Sequence, residues 1–140
     1  MLPLLRRAIF RWRVKPKRVI GDTTYGTAAN IRELEESGIR AYVPLPDWDQ
    51  RTPYYGPSLF TYDYEHDVYH CPQGETLRRR KIRYTDENVI YRADAAVCNA
   101  CPVKADCTAS DHGRGIARPF AADYLIGCGA TTRPRRTRRR

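Results

Sequence analysis

Apolar residues recur at helical spacing from Leu2 through Leu5 to Ile9, which predicts a helix over residues 2–10, and Pro16 interrupts that pattern. Val19-Ile20-Gly21 is a short apolar run, a candidate buried strand ending at Asp22, and residues 23–26 form a turn. Thr27 is placed to cap a helix whose apolar positions are Ala28, Ile31 and Leu34, with Glu33, Glu35 and Glu36 on its wetter side. Gly38 is placed to end that helix in the left-handed conformation, and Ile39 to Val43 reads as a second strand closed by Pro44 and Pro46. The unit is strand–helix–strand, with Asp22 at the carboxyl end of its first strand, the edge of an α/β sheet where functional side chains collect.

From Asp47 the pattern changes. Phe60 to Tyr64, Val68 to Cys71 and Val89 to Ala93 are short alternating segments among prolines and tyrosines, which predicts an irregular, mostly antiparallel subdomain. After Leu125 the pattern fades: Gly127 to Thr132 has neither a helical nor a strand period, and an arginine run follows. The boundaries expected are 1–46 for a partial α/β core, 47–120 for a cysteine-rich β insertion, and 121–140 for an irregular basic tail, a sequence that a shifted reading frame in GC-rich DNA would also produce.

Charge sharpens this division. The formal net charge of +9 comes from the ends, with seven basic residues and no acid in positions 1–20 and six arginines and no acid in 133–140. Between them 12 basic residues face 16 acidic ones, a net of −4. A basic end suits a polyanion; it is equally what a solvated tail looks like. Mean hydropathy is −0.67 and no apolar run approaches the ~20 residues of a membrane span, so no membrane association is expected. The start has its apolar patch before its charges, the wrong order for a secretory signal, and a cytoplasmic chain with reduced thiols is expected.

Four groups of residues carry candidate chemistry. Cys98-x-x-Cys101 has the spacing of a metal knuckle, because two intervening residues let both thiolates face one ion; Cys107 follows, and Cys71 can close the set from a neighbouring hairpin. Four thiolates make a closed structural Zn²⁺ site, with His70 and His112 as substitutes and buried structural thiols as the alternative. The run Leu77-Arg78-Arg79-Arg80-Lys81-Ile82-Arg83, flanked by Tyr84 and Tyr91, offers basic groups for phosphates and rings for bases; a solvated loop over a small tyrosine core is the alternative. In the tail Arg133, Arg135, Arg136, Arg138, Arg139 and Arg140 are candidates for sequence-independent phosphate contact. Asp22 either serves a reaction or only caps the following turn.

The ordered series Val19-Ile20-Gly21-Asp22-Thr23-Thr24-Tyr25-Gly26, Asn30, Gly38-Ile39, Tyr42-Val43-Pro44, Phe60-x-Tyr62-Asp63, Tyr69-x-Cys71-Pro72-x-Gly74, Tyr91-Arg92-Ala93, Cys98-x-x-Cys101-Pro102-x-Lys104-x-x-Cys107-Thr108 and Gly113-Arg114-x-Ile116 resembles the DDE-type transposases of insertion sequences around their second catalytic aspartate. The likeness spans roughly residues 1 to 124. It implies an α/β fold: a fragment of a ribonuclease-H-like sheet followed by a mainly β, zinc-ribbon-like insertion. It also implies DNA transposition, in which three carboxylates hold two Mg²⁺ or Mn²⁺ ions for phosphodiester cleavage and strand transfer at transposon ends. Asp22 matches the second acid. The first acid belongs on an earlier strand, yet residues 1–21 hold no Asp or Glu; the final Glu belongs beyond the insertion, yet no acid follows Asp123. A truncated, inactive remnant is therefore expected. The alternative is a small zinc-stabilised DNA- or protein-binding module without catalytic activity.

Overall fold

The computed structural model describes residues 2–128, with side-chain surroundings through Leu125. The tail arginines from Arg133 to Arg140 lie outside the described residues. The chain is mixed α/β and forms two compact units, one of residues 47–120 and one that joins residues before 47 to those after 120. Among the described residues no helix is long and apolar enough to cross a membrane.

In the first unit, α1 (Leu2–Trp12) turns Leu2, Leu5 and Ile9 onto a core of Ile31, Leu34, Ile39, Ala41 and Val43. Strands β1 (Arg18–Ile20) and β2 (Arg40–Tyr42) pair in parallel, with Val19 opposite Ala41 and Ile20 opposite Tyr42. Helix α2 (Ala28–Glu36) connects them. Its first turn is closed by Thr27, whose hydroxyl accepts the Asn30 amide at 3.2 Å, and Ile31 and Leu34 are its buried face. Gly38 adopts φ +69°, the left-handed conformation at which a Cβ is costly, and Ile39 then reaches back to the Leu34 carbonyl. The segment expected to be patternless from residue 121 instead begins with helix α5 (Ala122–Cys128), which packs on α2 with Leu125 in the same core. Ala122, its first residue, and Ala121 just before it are small enough to be buried where the sequence offers no long apolar stripe.

The second unit is a five-stranded antiparallel meander, β3 (Thr61–Asp63), β4 (Val68–His70), β5 (Thr76–Arg83), β6 (Asn88–Arg92) and β7 (Gly115–Pro119), in chain order. The basic run expected either to contact phosphates or to form a loop is β5, the longest strand. Short helices α3 (Ala95–Asn99) and α4 (Lys104–Cys107) fill the connection from β6 to β7. One sheet face is buried under Phe60, Leu77, Tyr91, Ala93 and Ile116. Tyr62, Tyr69 and Tyr91 meet edge to face or tilted on this side, with ring centroids 4.9 to 5.9 Å apart.

Two of these rings need hydrogen-bond partners, and Asp67 supplies both. Its Oδ1 accepts from Tyr62 at 2.6 Å and from the Tyr91 hydroxyl, and its Oδ2 stands 3.5 Å from the Arg79 guanidinium. Asp67 sits at φ +52°, a conformation Asp tolerates better than most, so the hairpin turn itself aims the carboxylate. The Tyr62 hydroxyl, then that of Tyr91, holds Asp67 below the usual carboxylate range, while burial and the Asp67 charge push the Tyr91 hydroxyl up. The depressed carboxylate stabilises the fold above its ordinary value and ceases to as pH falls below it. The raised tyrosine stabilises the fold at neutral pH, and this is lost as pH rises past the ordinary tyrosine range. Asp67→Asn should therefore lower stability at neutral pH and flatten its decline on the acid side, read from urea midpoints across a pH series. A variant whose acid decline parallels that of the wild type removes Asp67 from this role.

Candidate functional site

The four described cysteines are free, half-buried thiols, and all line one cavity of the second unit together with Tyr55 and Arg114. Each arrives by a different local device. Cys71 follows β4 and starts a tight turn: Gly74, at φ +83°, donates to the Cys71 carbonyl at 2.9 Å, and the Cys71 amide donates to Glu75 at the same distance. Cys98 lies on α3, whose N-terminus is capped by Asp94 accepting from the Ala96 amide at 2.9 Å. Cys101 follows one turn later, its amide on the Cys98 carbonyl at 3.3 Å, and Cys107 ends α4. Gly113 makes this packing possible. It adopts φ +83°, and a Cβ there would stand 2.6 Å from the Ala93 carbonyl oxygen.

Arg114 ties the elements together. Its Nη1 donates to the Cys107 carbonyl at 2.9 Å and its Nη2 to the Tyr55 carbonyl at 2.5 Å, its backbone amide points at Cys98 Sγ at 3.5 Å, and its guanidinium lies 5.3 Å from the Phe60 ring centre. Its buried Nε has no hydrogen-bond partner among the described residues. Burial pushes the Cys107 thiol up, Arg114 pulls it down, and the neighbouring Cys98, Cys71 and Cys101 each raise it further.

The donor chemistry fits a soft divalent ion: four thiols on one cavity, a cation to offset thiolate charge, and an orphaned N–H donor that a thiolate sulfur can accept. Among the described residues, however, no group of three or more His, Cys, Asp or Glu side chains is arranged to hold a metal ion. Neither His70 nor His112 lines the cavity. His70 instead lies 3.7 Å from Asp63, which His66 also holds at 2.7 Å.

Asp22 is exposed after β1, and its Oδ1 accepts the Thr24 amide at 3.0 Å, capping the short helical turn Thr23–Tyr25. Its other carboxylate oxygen makes no hydrogen bond among the described residues. Gly26 lets this loop approach β2: a Cβ there would meet the Pro44 carbonyl oxygen at 2.4 Å.

The basic run is split by the sheet. Arg78, Lys81 and Arg83 stand on one face and Arg79 on the other, beside Asp67, while Arg80 occupies a bulge in the pairing with β6. Sequence patterning alone missed Arg92, which pairs with Arg78 across the strands, and the structural part of Arg114. Alternation around Tyr91 was a usable signal for Arg92; the contacts of Arg114 join residues far apart in the chain and leave no local signal.

The fold and site define a two-unit α/β chain with a thiol-lined cavity and a basic β-strand. No family model, curated protein or solved structure matches it.

Arg114→Leu keeps the bulk but leaves the Cys107 and Tyr55 carbonyls without donors. It should cost about 2 kcal/mol of the second unit's stability, measured by urea denaturation followed through tyrosine fluorescence. A loss below about 0.5 kcal/mol would mean that solvent replaces the guanidinium.

Proposed function

We propose that this chain is a segment of a DDE-type DNA transposase, with Asp22 in the place of the second catalytic carboxylate and residues 47–120 as the cysteine-rich insertion. The observation that carries this is the parallel β1–β2 pair. Ile20 is 84% exposed directly opposite Tyr42, itself 39% exposed, although parallel strands are ordinarily covered on both faces. A two-stranded parallel sheet with an open apolar face is what a piece of a larger ribonuclease-H-like sheet presents. Asp22 follows β1 at the edge where open α/β sheets gather ligands, with one carboxylate oxygen that makes no hydrogen bond among the described residues.

In the intact family two divalent cations, Mg²⁺ or Mn²⁺, lower the pKa of the attacking oxygen and stabilise the leaving one. Asp22 would supply one ligand to them. Residues 1–21 and those after Asp123 hold no carboxylate, so these 140 residues carry a single acid in a catalytic place and do not cut or join DNA by themselves. Transposon-end DNA is the partner in the intact family. A reducing, cytoplasmic setting fits the four free thiols.

Structural Zn²⁺ would be held by Cys71, Cys98, Cys101 and Cys107 in a zinc-ribbon-like insertion. A tetrathiolate centre is net negative, which the Arg114 guanidinium beside the same cavity offsets. The separate core of residues 47–120 favours a second reading, a small zinc-stabilised DNA- or protein-binding module with no catalytic activity.

The nucleotide sequence on either side of the coding region separates the two. The transposase assignment expects an Asp-bearing strand encoded upstream and a Glu-bearing helix downstream, in any frame; their absence leaves the module. Purified chain should leave a supercoiled plasmid intact with Mg²⁺ or Mn²⁺, and metal-dependent nicking that disappears in Asp22→Ala would refute the incomplete site. Protein purified without chelator should carry about one equivalent of zinc and lose stability of the second unit when the metal is stripped. Less than about a tenth of an equivalent in a folded sample rules out the four-thiolate centre.

A further inference from the structure

Opposite faces of the antiparallel meander have opposite characters. Phe60, Leu77, Tyr91 and Ile116 line the buried one. The other has a row of cations across its middle. Register places Arg78 against Arg92 and, past the bulge, Lys81 against Ile90 and Arg83 against Asn88, all on this face. From β4 to β7 the face bears no Asp or Glu: its remaining positions are Val68, His70, Thr76, Gly115, Ala117 and Pro119. Asp63 on β3 is the one acid of the face, and His66 and His70 stand beside it.

Ion pairing does not consume these charges. Arg83 meets Asp86 at 3.5 Å, whereas Arg78, Lys81 and Arg92 form no ion pair among the described residues. Arg92 lies over Gly115, close enough that a Cβ there would stand in ordinary contact, 3.7 Å from the guanidinium Nε. Arg79, by contrast, is turned to the buried face and pairs with Asp67. At the Arg83 end Tyr84 is 76% exposed and edge-on to Phe120 at 6.2 Å.

We infer that this open face of the second unit, through Arg78, Lys81 and Arg92, is a docking surface for the phosphodiester backbone of nucleic acid, with Tyr84 as a stacking surface at its end. It rests on the DNA partner of the proposed function and adds the surface that holds it. Three cations on one sheet face, without an ion pair among the described residues, match a row of phosphates, and hydrogen bonds from guanidinium and ammonium groups position a backbone without reading its bases. The exposed ring adds what an acidic peptide would not use, a platform for a base. The face offers a membrane little to insert, because Val68 and Ile90, its large aliphatic side chains, are half-buried.

The test is fluorescence anisotropy of full-length chain with a labelled mixed-sequence oligonucleotide, single-stranded and duplex, over a salt series. Arg78→Gln/Lys81→Gln/Arg92→Gln should weaken binding about tenfold or more and lower the log–log salt slope by roughly 2 to 3. Arg78→Lys/Arg92→Lys should keep the wild-type slope, since charge and not shape carries the contact. Arg79→Gln, which removes an equal charge from the other face, should leave the slope unchanged. Three results overturn the inference: a triple variant that binds like wild type, an Arg79→Gln effect equal to that of Arg78→Gln, or tighter capture by phosphatidylserine vesicles than by the oligonucleotide. Wild-type binding that persists in the triple variant leaves DNA as the partner and removes only this surface; no wild-type binding removes both.

Discussion

Leu77 is fully buried at the start of a strand that otherwise reads as a row of cations, and that single burial orders the second unit. Side chains alternate along a strand, so fixing Leu77 inward sends Arg78 outward and Arg79 inward. On that side Arg79, still half exposed, reaches Asp67, which also accepts the hydroxyls of Tyr62 and Tyr91. The bulge at Arg80 then resets the phase, so that Ile82 faces Val89 and Lys81 joins Arg78 on the open side. A slip of one residue would turn Arg78 onto the buried face and expose Leu77, an exchange no small core can sustain.

The thiol cavity is governed by a different constraint. Four cysteines reach it from a hairpin turn, two short helices and the link between those helices, none of which is long enough to be stable alone. Arg114 substitutes for a larger core by holding two carbonyls from distant segments, and Gly113 allows the backbone approach that brings it there. A bound ion would strengthen the same junction, since metal–thiolate bonds contribute directly to folding of so small a unit.

In the first unit Asp22 has one oxygen fixed by the Thr24 amide and the other without a hydrogen bond among the described residues. A capping role and a ligand role are therefore compatible in the same side chain: the cap sets the direction in which the remaining oxygen points. Beside it, Ile20 and Tyr42 form an exposed apolar surface on a sheet of two strands.

Local signals in the sequence placed the strand–helix–strand unit to within a residue or two, although the first strand, expected to be buried, leaves Ile20 84% exposed because the sheet has only two strands. Thr27 as cap, Ile31 and Leu34 as buried face and Gly38 as left-handed terminus are short-range choices, each visible within one helical turn. The spacing of Cys98 and Cys101 was likewise legible, as was the positive run ending at Arg83. Tertiary structure alone decided the rest. Strand β5 carries the basic run because its neighbours β4 and β6 supply hydrogen bonds and a buried place for Leu77, none of which a charged stretch announces. Helix α5 forms because Leu125 finds the core of α2 after a gap in sequence of more than 70 residues. Arg79 and Arg78, adjacent and alike in the chain, acquire opposite surroundings, since the face a strand buries is set by what lies across the sheet and not by the strand's own composition.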